Sequence, residues 1–225
     1  MKANDDVLRE AQLEMIGRLM AGLSHEMKNH LAIINELSGL QGDLLAMAES
    51  KGRPMDSGRC KKIISDICGR VELAVKATSF LSGFAHRMDT PCSSFNVNDP
   101  IRELLHFLQR FASKNEVLLE DNLAEGLPNL YNNPSLLQFA AYCTIYPLLN
   151  GLQKNNRILV STEAYDDAEA VKLGICYDGT LQPTDSTLNE VLQLAADKLA
   201  GGKSAREIVS VTGQEISILV LSVSR

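Results

Sequence analysis

Apolar side chains in the first part of the chain recur at alternating steps of four and three residues, the period of a helix that packs along one face. No proline interrupts residues 7–49, so the pattern predicts one long helix there. The packed face includes two polar exceptions, His30 and Gln41. Its full set is Ile16, Met20, Leu23, Met27, His30, Ile34, Leu37, Gln41 and Leu44.

A second run with the same period follows residues 50–58, a segment whose Gly, Pro and Ser content predicts a turn. The run consists of Ile64, Ile67, Val71, Ala74, Thr78, Leu81, Ala85 and Met88. Two long helices joined by a short loop predict an antiparallel hairpin. Because a lone hairpin buries one side of each helix, we expect a homodimer through residues 7–88 that forms a four-helix bundle. The alternative is a hairpin folded against the rest of its own chain.

The remaining sequence has a mixed α/β pattern. We predict a helical domain at residues 1–90, a linker at 91–99 and an α/β domain at 100–225, with one sheet and helices on a single face. Asp99 and Pro100 are expected to begin the first helix of this domain. The expected helices are 101–112, 134–149 and 188–199, and the expected strands are 117–120, 158–165, 171–177, 206–211 and 215–223.

Composition separates the same two regions. All seven methionines lie in residues 1–90, where twelve basic and twelve acidic side chains cancel. All five tyrosines and the net charge of −6 belong to the remainder. An apolar content of 45% excludes a disordered chain, and the acidic balance argues against a nucleic-acid groove.

The five cysteines are odd in number, and none has the CxxC spacing of a zinc site. We therefore expect neither a disulfide framework nor a metal, and a reducing, cytoplasmic setting. The charged N-terminus does not resemble a signal peptide. The longest apolar run, residues 136–149, falls short of the roughly 18 residues that span a bilayer, so no membrane association is expected.

His25 stands out within the first helix. It lies two residues from both Leu23 and Met27, so it points away from the packed face and toward solvent. Glu26 is adjacent, and Asn29 follows one turn later on the same face. A neutral imidazole can act as a nucleophile, a carboxylate can hold its tautomer, and an amide can orient water. The pattern alone also fits an ordinary surface histidine.

The segment SHEMKNHLAIINE resembles the H-box of bacterial sensor histidine kinases, in which a dimerisation hairpin carries the phospho-accepting histidine. The family pattern is His-acid-x-x-Asn/Thr, usually followed by Pro-Leu. Here His25, Glu26 and Asn29 match, and His30 stands in place of the proline. The downstream half resembles the family's GHKL-type ATPase domain in order and length. By this resemblance, His25 is phosphorylated, Glu26 assists proton transfer, and Asn29 positions water for receiver dephosphorylation.

The family's nucleotide elements are altered in this sequence. Aligned through Gln138, Tyr142 and Tyr146 stand where the family has two magnesium-binding asparagines, and a phenol is a poor magnesium ligand. Asp178 and Gly179 remain of an Asp-x-Gly-x-Gly motif, without its second glycine. Only about eight residues, none of them glycine, separate Gly179 from the next helix, so the phosphate-binding lid is absent. We expect no nucleotide cofactor.

A hairpin with an H-box on a nucleotide-free ATPase-like domain resembles the dimeric histidine phosphotransferases of phosphorelays. The predicted partner is a response-regulator receiver domain. Lys28, Phe80 and Phe84 are candidate docking residues, although the two phenylalanines also fit a place in the bundle core. The leading hypothesis is phosphoryl transfer between His25 and a receiver aspartate. The alternatives are a receiver phosphatase, an active kinase with a divergent ATP site, and a non-catalytic scaffold.

Overall fold

The computed structural model describes residues 2–52, 54, 56–87, 89–165, 170–181, 187–200 and 208–223. The chain divides into two compact units. We call Met20–Ser82 the hairpin unit, and Met1–Leu19 together with Gly83–Arg225 the α/β unit. The predicted division into domains at 1–90 and 100–225 stays a prediction, because these units are defined by contacts and the first helix runs through both.

Two long helices form the N-terminal part: α1 spans Lys2–Lys51 and α2 spans Ser57–His86. Asp56 caps the N-terminus of α2, because its carboxylate accepts hydrogen bonds from the backbone N–H groups of Gly58 (3.0 Å) and Arg59 (3.1 Å). Within the hairpin unit, residues 44–51 and 54–60 line one depression, and Leu31 and Ile34 line another with residues 71–82. The two helices therefore run antiparallel, as predicted.

The packed face of α1 agrees with the prediction, and its members in the hairpin unit are buried or half-buried. The packed face of α2 differs from the predicted one. Cys60, Ile63 and Ala77 are its buried members, whereas Ile64, Val71 and Thr78 are exposed. The predicted face was expected to be buried by a second copy of the hairpin, so the packing of these three residues in a four-helix bundle stays a prediction. Both faces have the same period, so periodicity alone does not distinguish the face turned to α1 from a second apolar face beside it.

The α/β unit contains a five-stranded sheet in the order β2-β4-β5-β7-β6. β2 pairs in parallel with β4, and the other pairs are antiparallel. A separate two-stranded antiparallel sheet joins β1 to β3. The strands are β1 Ser93–Asn96, β2 Leu118–Leu123, β3 Asn129–Asn132, β4 Arg157–Tyr165, β5 Ala170–Tyr177, β6 Val209–Thr212 and β7 Glu215–Leu221.

Three helices complete the unit: α3 Asn98–Asn115, α4 Pro134–Gly151 and α5 Thr187–Leu199. The α4 helix is apolar on nearly all sides because it is buried on nearly all sides, with Phe139, Ile145 and Leu149 fully inaccessible to solvent. It begins at Pro134 after Asn133, whose side chain accepts a hydrogen bond from Leu136 N–H at 2.9 Å.

The predicted fold class, a long antiparallel helical hairpin followed by an α/β region, is confirmed. The small β1–β3 sheet was not expected, because its strands are four residues long, and polar Ser and Asn hide their alternation. The α3 helix begins at Asn98, so Asp99 is not its cap and lies 3.8 Å from Arg102 instead. The start of the expected 206–211 strand lies outside the described residues.

No helix in the described ranges is long and apolar enough to cross a membrane.

Candidate functional site

The candidate nucleophile, His25, lies in the middle of α1 and is exposed, as its phase on the helix predicts. Lys28 and Asn29 are exposed as well, and Asn29 follows His25 by one turn. The helix continues through this segment without interruption. At the position of His30, a proline would remove a backbone N–H and break the hydrogen-bond ladder, whereas histidine keeps it. The hairpin unit thus presents an accessible imidazole with an amide beside it.

The carboxylate of Glu26 is directed to a different histidine. Its Oε1 lies 3.7 Å from Nε2 of His30, which is buried in the packed face of α1. Neither ring nitrogen of His30 has a hydrogen-bond partner among the described residues. Glu26 is therefore next to the exposed His25 in the sequence and close to the buried His30 in space. Its assistance to His25 stays a prediction. The 4-3 pattern identified His30 as a polar exception but gave no sign of this pairing.

The two candidate docking phenylalanines have different environments. Phe80, in the hairpin unit, is half-buried, and the Lys76 ammonium lies 5.9 Å from the centre of its ring. Phe84 is buried in the α/β unit and packs edge-to-face against Phe107, with ring centres 5.8 Å apart. Of the two readings left open for Phe84, the structure favours a core position, in the α/β unit and not in the bundle.

The positions aligned with the magnesium-binding asparagines are filled by an aromatic stack. The rings of Tyr142 and Tyr146 are nearly parallel, with centres 5.0 Å apart. Phe111 packs edge-to-face on Tyr146, and the guanidinium carbon of Arg18 lies 5.1 Å from the centre of the Tyr146 ring. A guanidinium over a phenol face is a cation–π arrangement. The guanidinium of Arg18 therefore lies against the two rings at the positions that the resemblance aligned with the asparagines.

The electrostatics of the stack also disfavour metal ligation by its hydroxyls. Burial raises the pKa of Tyr142 above its usual value, with the neighbouring Arg18 charge opposing the rise. The phenol is therefore neutral at physiological pH, and a neutral phenol is a weak magnesium ligand. Within the described ranges, no cluster of three or more His, Cys, Asp or Glu side chains could hold a metal ion.

The remaining element of the nucleotide motif has a structural partner. The carboxylate of Asp178 accepts a hydrogen bond from the backbone N–H of Arg157 at 2.6 Å, which ties the end of β5 to the start of β4. Gly179 adopts φ +85°, and a Cβ at this position would overlap the side chain of Asn156. Only glycine combines this φ with such a close approach. Most of the segment between Gly179 and α5 lies outside the described residues.

Sequence reasoning missed Arg18 and an ion pair in the α/β unit. The phase of Arg18 on α1 marks it as solvent-facing, so no sequence signal indicated its contact with α4. In the α/β unit, the Arg87 guanidinium donates two hydrogen bonds to the Glu103 carboxylate (2.6 and 2.9 Å). The side chain of a residue at position 83 would overlap Glu103, so Gly83 permits this approach.

No family model and no curated protein matches the sequence of the chain. Among solved structures, it is similar to the histidine kinase AdeS of Acinetobacter baumannii, with 13% identity over 88% of this chain and 97% of that chain, at a TM-score of 0.46. The nucleotide-free catalytic domain of histidine kinase ThkA is 15% identical over 60% of this chain and 100% of that chain, at a TM-score of 0.49. A bacterial phosphotransferase is 12% identical over 92% of this chain and 95% of that chain, at a TM-score of 0.40. Similarity at this level concerns the fold and does not identify an activity.

Proposed function

We propose that this protein transfers phosphoryl groups between His25 and the aspartate of a response-regulator receiver domain, without autophosphorylation by ATP. The observation that carries the proposal is the exposed His25, followed one turn later by exposed Asn29, in a histidine-kinase-like H-box. The function is thus a step in two-component or phosphorelay signalling, in which the protein needs no nucleotide of its own.

The chemistry requires a neutral, accessible imidazole. A ring nitrogen of His25 attacks the phosphorus of a receiver aspartyl phosphate, so that an N–P bond forms, the P–O bond to aspartate breaks, and the carboxylate leaves. In the reverse direction a receiver carboxylate attacks phosphohistidine, and the imidazole leaves. His25 makes no hydrogen bond or ion pair with another described residue, so nothing in those ranges blocks the attack.

The absence of autophosphorylation is proposed from the aromatic stack at the expected metal position. Tyr142, Tyr146 and Arg18 fill this place with two rings and a fixed positive charge. Arg18 is itself paired with the Glu14 carboxylate (2.5 Å), so a magnesium ion there would have to compete with this ion pair and would meet two phenol rings, which are poor magnesium ligands. Asp178, the remaining motif residue, is bound to the backbone of Arg157.

We also propose that the protein is a homodimer, because the hairpin unit leaves a second apolar face uncovered. Ile64, Val71 and Val75 are 53%, 44% and 59% exposed, and Leu31 on α1 is 59% exposed. Exposed apolar patches of this kind mark association sites. Pairing two copies along these faces would complete a four-helix bundle.

The proposed receiver contacts are the exposed Lys28 and the half-buried Phe80, both in the hairpin unit. A lysine and an apolar ring suit a receiver surface with acidic and apolar side chains. All five cysteines are free thiols, which fits a reducing compartment, and we propose the cytoplasm.

The proposal is tested by incubating the full chain with each radiolabelled phospho-receiver of the source organism. Wild-type protein should acquire an acid-labile label from its partner, and His25→Gln should acquire none. His86→Gln is the matched control, because His86 is also exposed and on a long helix but pairs with Asp89 at 3.1 Å. Equal labelling of wild type and His25→Gln would remove the assignment of His25.

Nucleotide binding is tested separately by thermal denaturation with and without Mg-ATP. A functional ATP site would stabilise the protein by about 2.7 kcal/mol at a hundredfold excess of nucleotide over its dissociation constant. We expect no shift in melting temperature. A shift that Arg18→Gln or Tyr146→Ala abolishes would instead support an active kinase with a divergent site.

Asn29 favours a second candidate function, phosphatase activity toward the receiver. Its amide is exposed one turn after His25, where it can orient a water for attack on the aspartyl phosphate. Faster loss of receiver phosphate with His25→Gln protein, abolished in the His25→Gln/Asn29→Ala double variant, would support this activity. Unchanged loss of receiver phosphate in the presence of His25→Gln would exclude it.

A further inference from the structure

The α/β unit contains a cavity of about 300 Å³ that the phosphotransfer chemistry does not use. It lies between residues 9–16 of α1, the end of α2 and the first turns of α4. This volume is at the lower end of the range of small-molecule sites in proteins. The position is distinct from His25, which belongs to the hairpin unit, and from the stack of Tyr142 and Tyr146, which does not line the cavity.

One part of the lining is polar and electropositive. Ser135 lines the cavity in the first turn of α4, and its Oγ, which lies beneath the surface and must turn toward the cavity to reach a ligand, has no hydrogen-bond partner among the described residues. Arg9 is exposed at the cavity, and within the described ranges its guanidinium makes no ion pair. The α4 helix of 18 residues directs the positive end of its dipole to the same place, because it begins at Pro134.

The other cation of the lining is already neutralised. Arg87 is bound by both carboxylate oxygens of Glu103, and the two side chains are only 16% and 10% exposed. Buried Gln138 donates a hydrogen bond to the Pro100 carbonyl oxygen (2.9 Å) and contacts Glu103 Oε2 (3.5 Å), so its amide belongs to the same network. One unpaired charge, that of Arg9, therefore remains for a ligand, which points to a monoanion and not to a polyphosphate.

Two further polar residues, Gln12 and Asn133, line the cavity, and Asn133 Oδ1 already accepts a hydrogen bond from Leu136 N–H. The remaining lining is apolar and consists of Leu13, Met15, Ile16, Phe84 and Pro91. Such a surface favours an uncharged hydrocarbon body. At about 30 Å³ for each water-sized group, the cavity accommodates roughly ten non-hydrogen atoms.

We propose that this cavity is a binding site for a small organic carboxylate with an apolar body of aromatic or branched aliphatic type. The carboxylate accepts charge-assisted hydrogen bonds from Arg9 and a hydrogen bond from Ser135 Oγ at the start of α4. The hydrocarbon body lies against the apolar wall that includes Phe84 and Met15. The site is independent of the proposed phosphotransfer function, because none of its residues takes part in that chemistry.

The test compares phenylacetate with phenylacetamide, which has the same shape and size but no charge. Both are titrated into ¹⁵N-labelled full-length protein, and amide shifts are followed by NMR. We expect phenylacetate to bind at least tenfold more tightly, since its carboxylate accepts charge-assisted hydrogen bonds that the amide does not make, and to shift signals of residues 9–16 and 133–138.

Two variants and a control locate the interaction. Arg9→Gln should weaken phenylacetate binding about tenfold or more and abolish the preference over the amide. Ser135→Ala should weaken it severalfold. Arg102→Gln is the matched control, because Arg102 is an exposed arginine of the same unit that does not line the cavity, and it should bind as wild type.

Three results would overturn the proposal. They are equal affinity for phenylacetate and phenylacetamide, unchanged phenylacetate binding by Arg9→Gln, and the absence of any shift at residues 9–16 and 133–138 at millimolar probe. The leucine at the cavity rim offers a check that does not depend on charge. Leu13 is 58% exposed, so Leu13→Trp should leave the fold intact while its larger side chain blocks the cavity and abolishes the shifts.

Discussion

The hairpin unit and the α/β unit differ in how completely they bury their apolar side chains. In the hairpin unit, Leu23, Ile63 and Ala77 are buried, while eight large apolar side chains among its described residues are exposed. These are Leu31, Leu40, Leu45, Met47, Ile64, Val71, Leu73 and Val75. In the α/β unit, α4 and the central strands form a continuous core in which Phe139, Leu149 and Leu173 have no accessible surface.

The difference shows that the two units obtain stability from different sources. A sheet covered by helices closes a core within one chain, because each element has a covered face. A hairpin of two helices closes only one seam, so its second apolar face remains available for another chain. We therefore expect mutations in the α/β unit to act on unfolding, and mutations in the hairpin to act on association.

The largest expected effect is that of Phe139→Ala in the core of the α/β unit. Removing a fully buried ring should lower the unfolding free energy by about 3–5 kcal/mol, measured by urea denaturation. Leu73→Ala, at an exposed apolar position of the hairpin, should change it by less than about 0.5 kcal/mol. Comparable losses for both variants would show that the two units do not differ in this way.

Val71→Glu is expected to act on self-association. A charge placed in the uncovered apolar face should raise the dimer dissociation constant about 100-fold or more, which sedimentation equilibrium can measure. Lys62→Gln is the control, because Lys62 is exposed near the opposite side of α2 and the substitution also changes the net charge by minus one. An unchanged dissociation constant for Val71→Glu would place the dimer interface elsewhere.

A smaller effect is expected where the α/β unit keeps part of a nucleotide motif. Gly179→Ala should lower the unfolding free energy by about 2 kcal/mol, because the new methyl group combines backbone strain with overlap of Asn156. Gly213 has φ +61° and open space around it, so Gly213→Ala should lower the unfolding free energy by about 1 kcal/mol, from backbone strain alone. Equal losses would mean that the contact with Asn156 does not contribute.

The last prediction concerns a pH dependence of the core, which appears only in alkaline solution. Burial raises the pKa of Cys143 from 9.0 to about 12, so the folded state retains a proton that the unfolded state loses. Stability from this group is full below pH 9 and falls as the pH rises toward 12, by at most about 1.4 kcal/mol per pH unit. Urea denaturation across this range should show a shallower decline for Cys143→Ala, whereas Cys68→Ala, at an exposed thiol, should follow wild type.

Prediction from the sequence succeeded where periodicity or turn chemistry dominates. The antiparallel β4–β5 pair, the long helices and the exposure of His25 follow from such patterns, and all three are confirmed. It left out Cys60, Ile63 and Ala77, the buried positions of α2 in the single chain, because two adjacent faces of this helix share the same period. No sequence pattern indicated the contacts of Arg18, since its partners, Tyr142 and Tyr146, are more than a hundred residues away in the chain.

By itself, the sequence determined the hairpin, the α/β order and the exposed His25, because helix and strand periods and turn residues act over a few positions. Only the tertiary structure decided that Phe84 packs on Phe107, that Arg18 covers Tyr146, and that Glu26 faces His30. It also created the cavity between α1 and α4. Contacts between distant segments depend on helix rotation and packing, which the local pattern of apolar and polar residues does not specify.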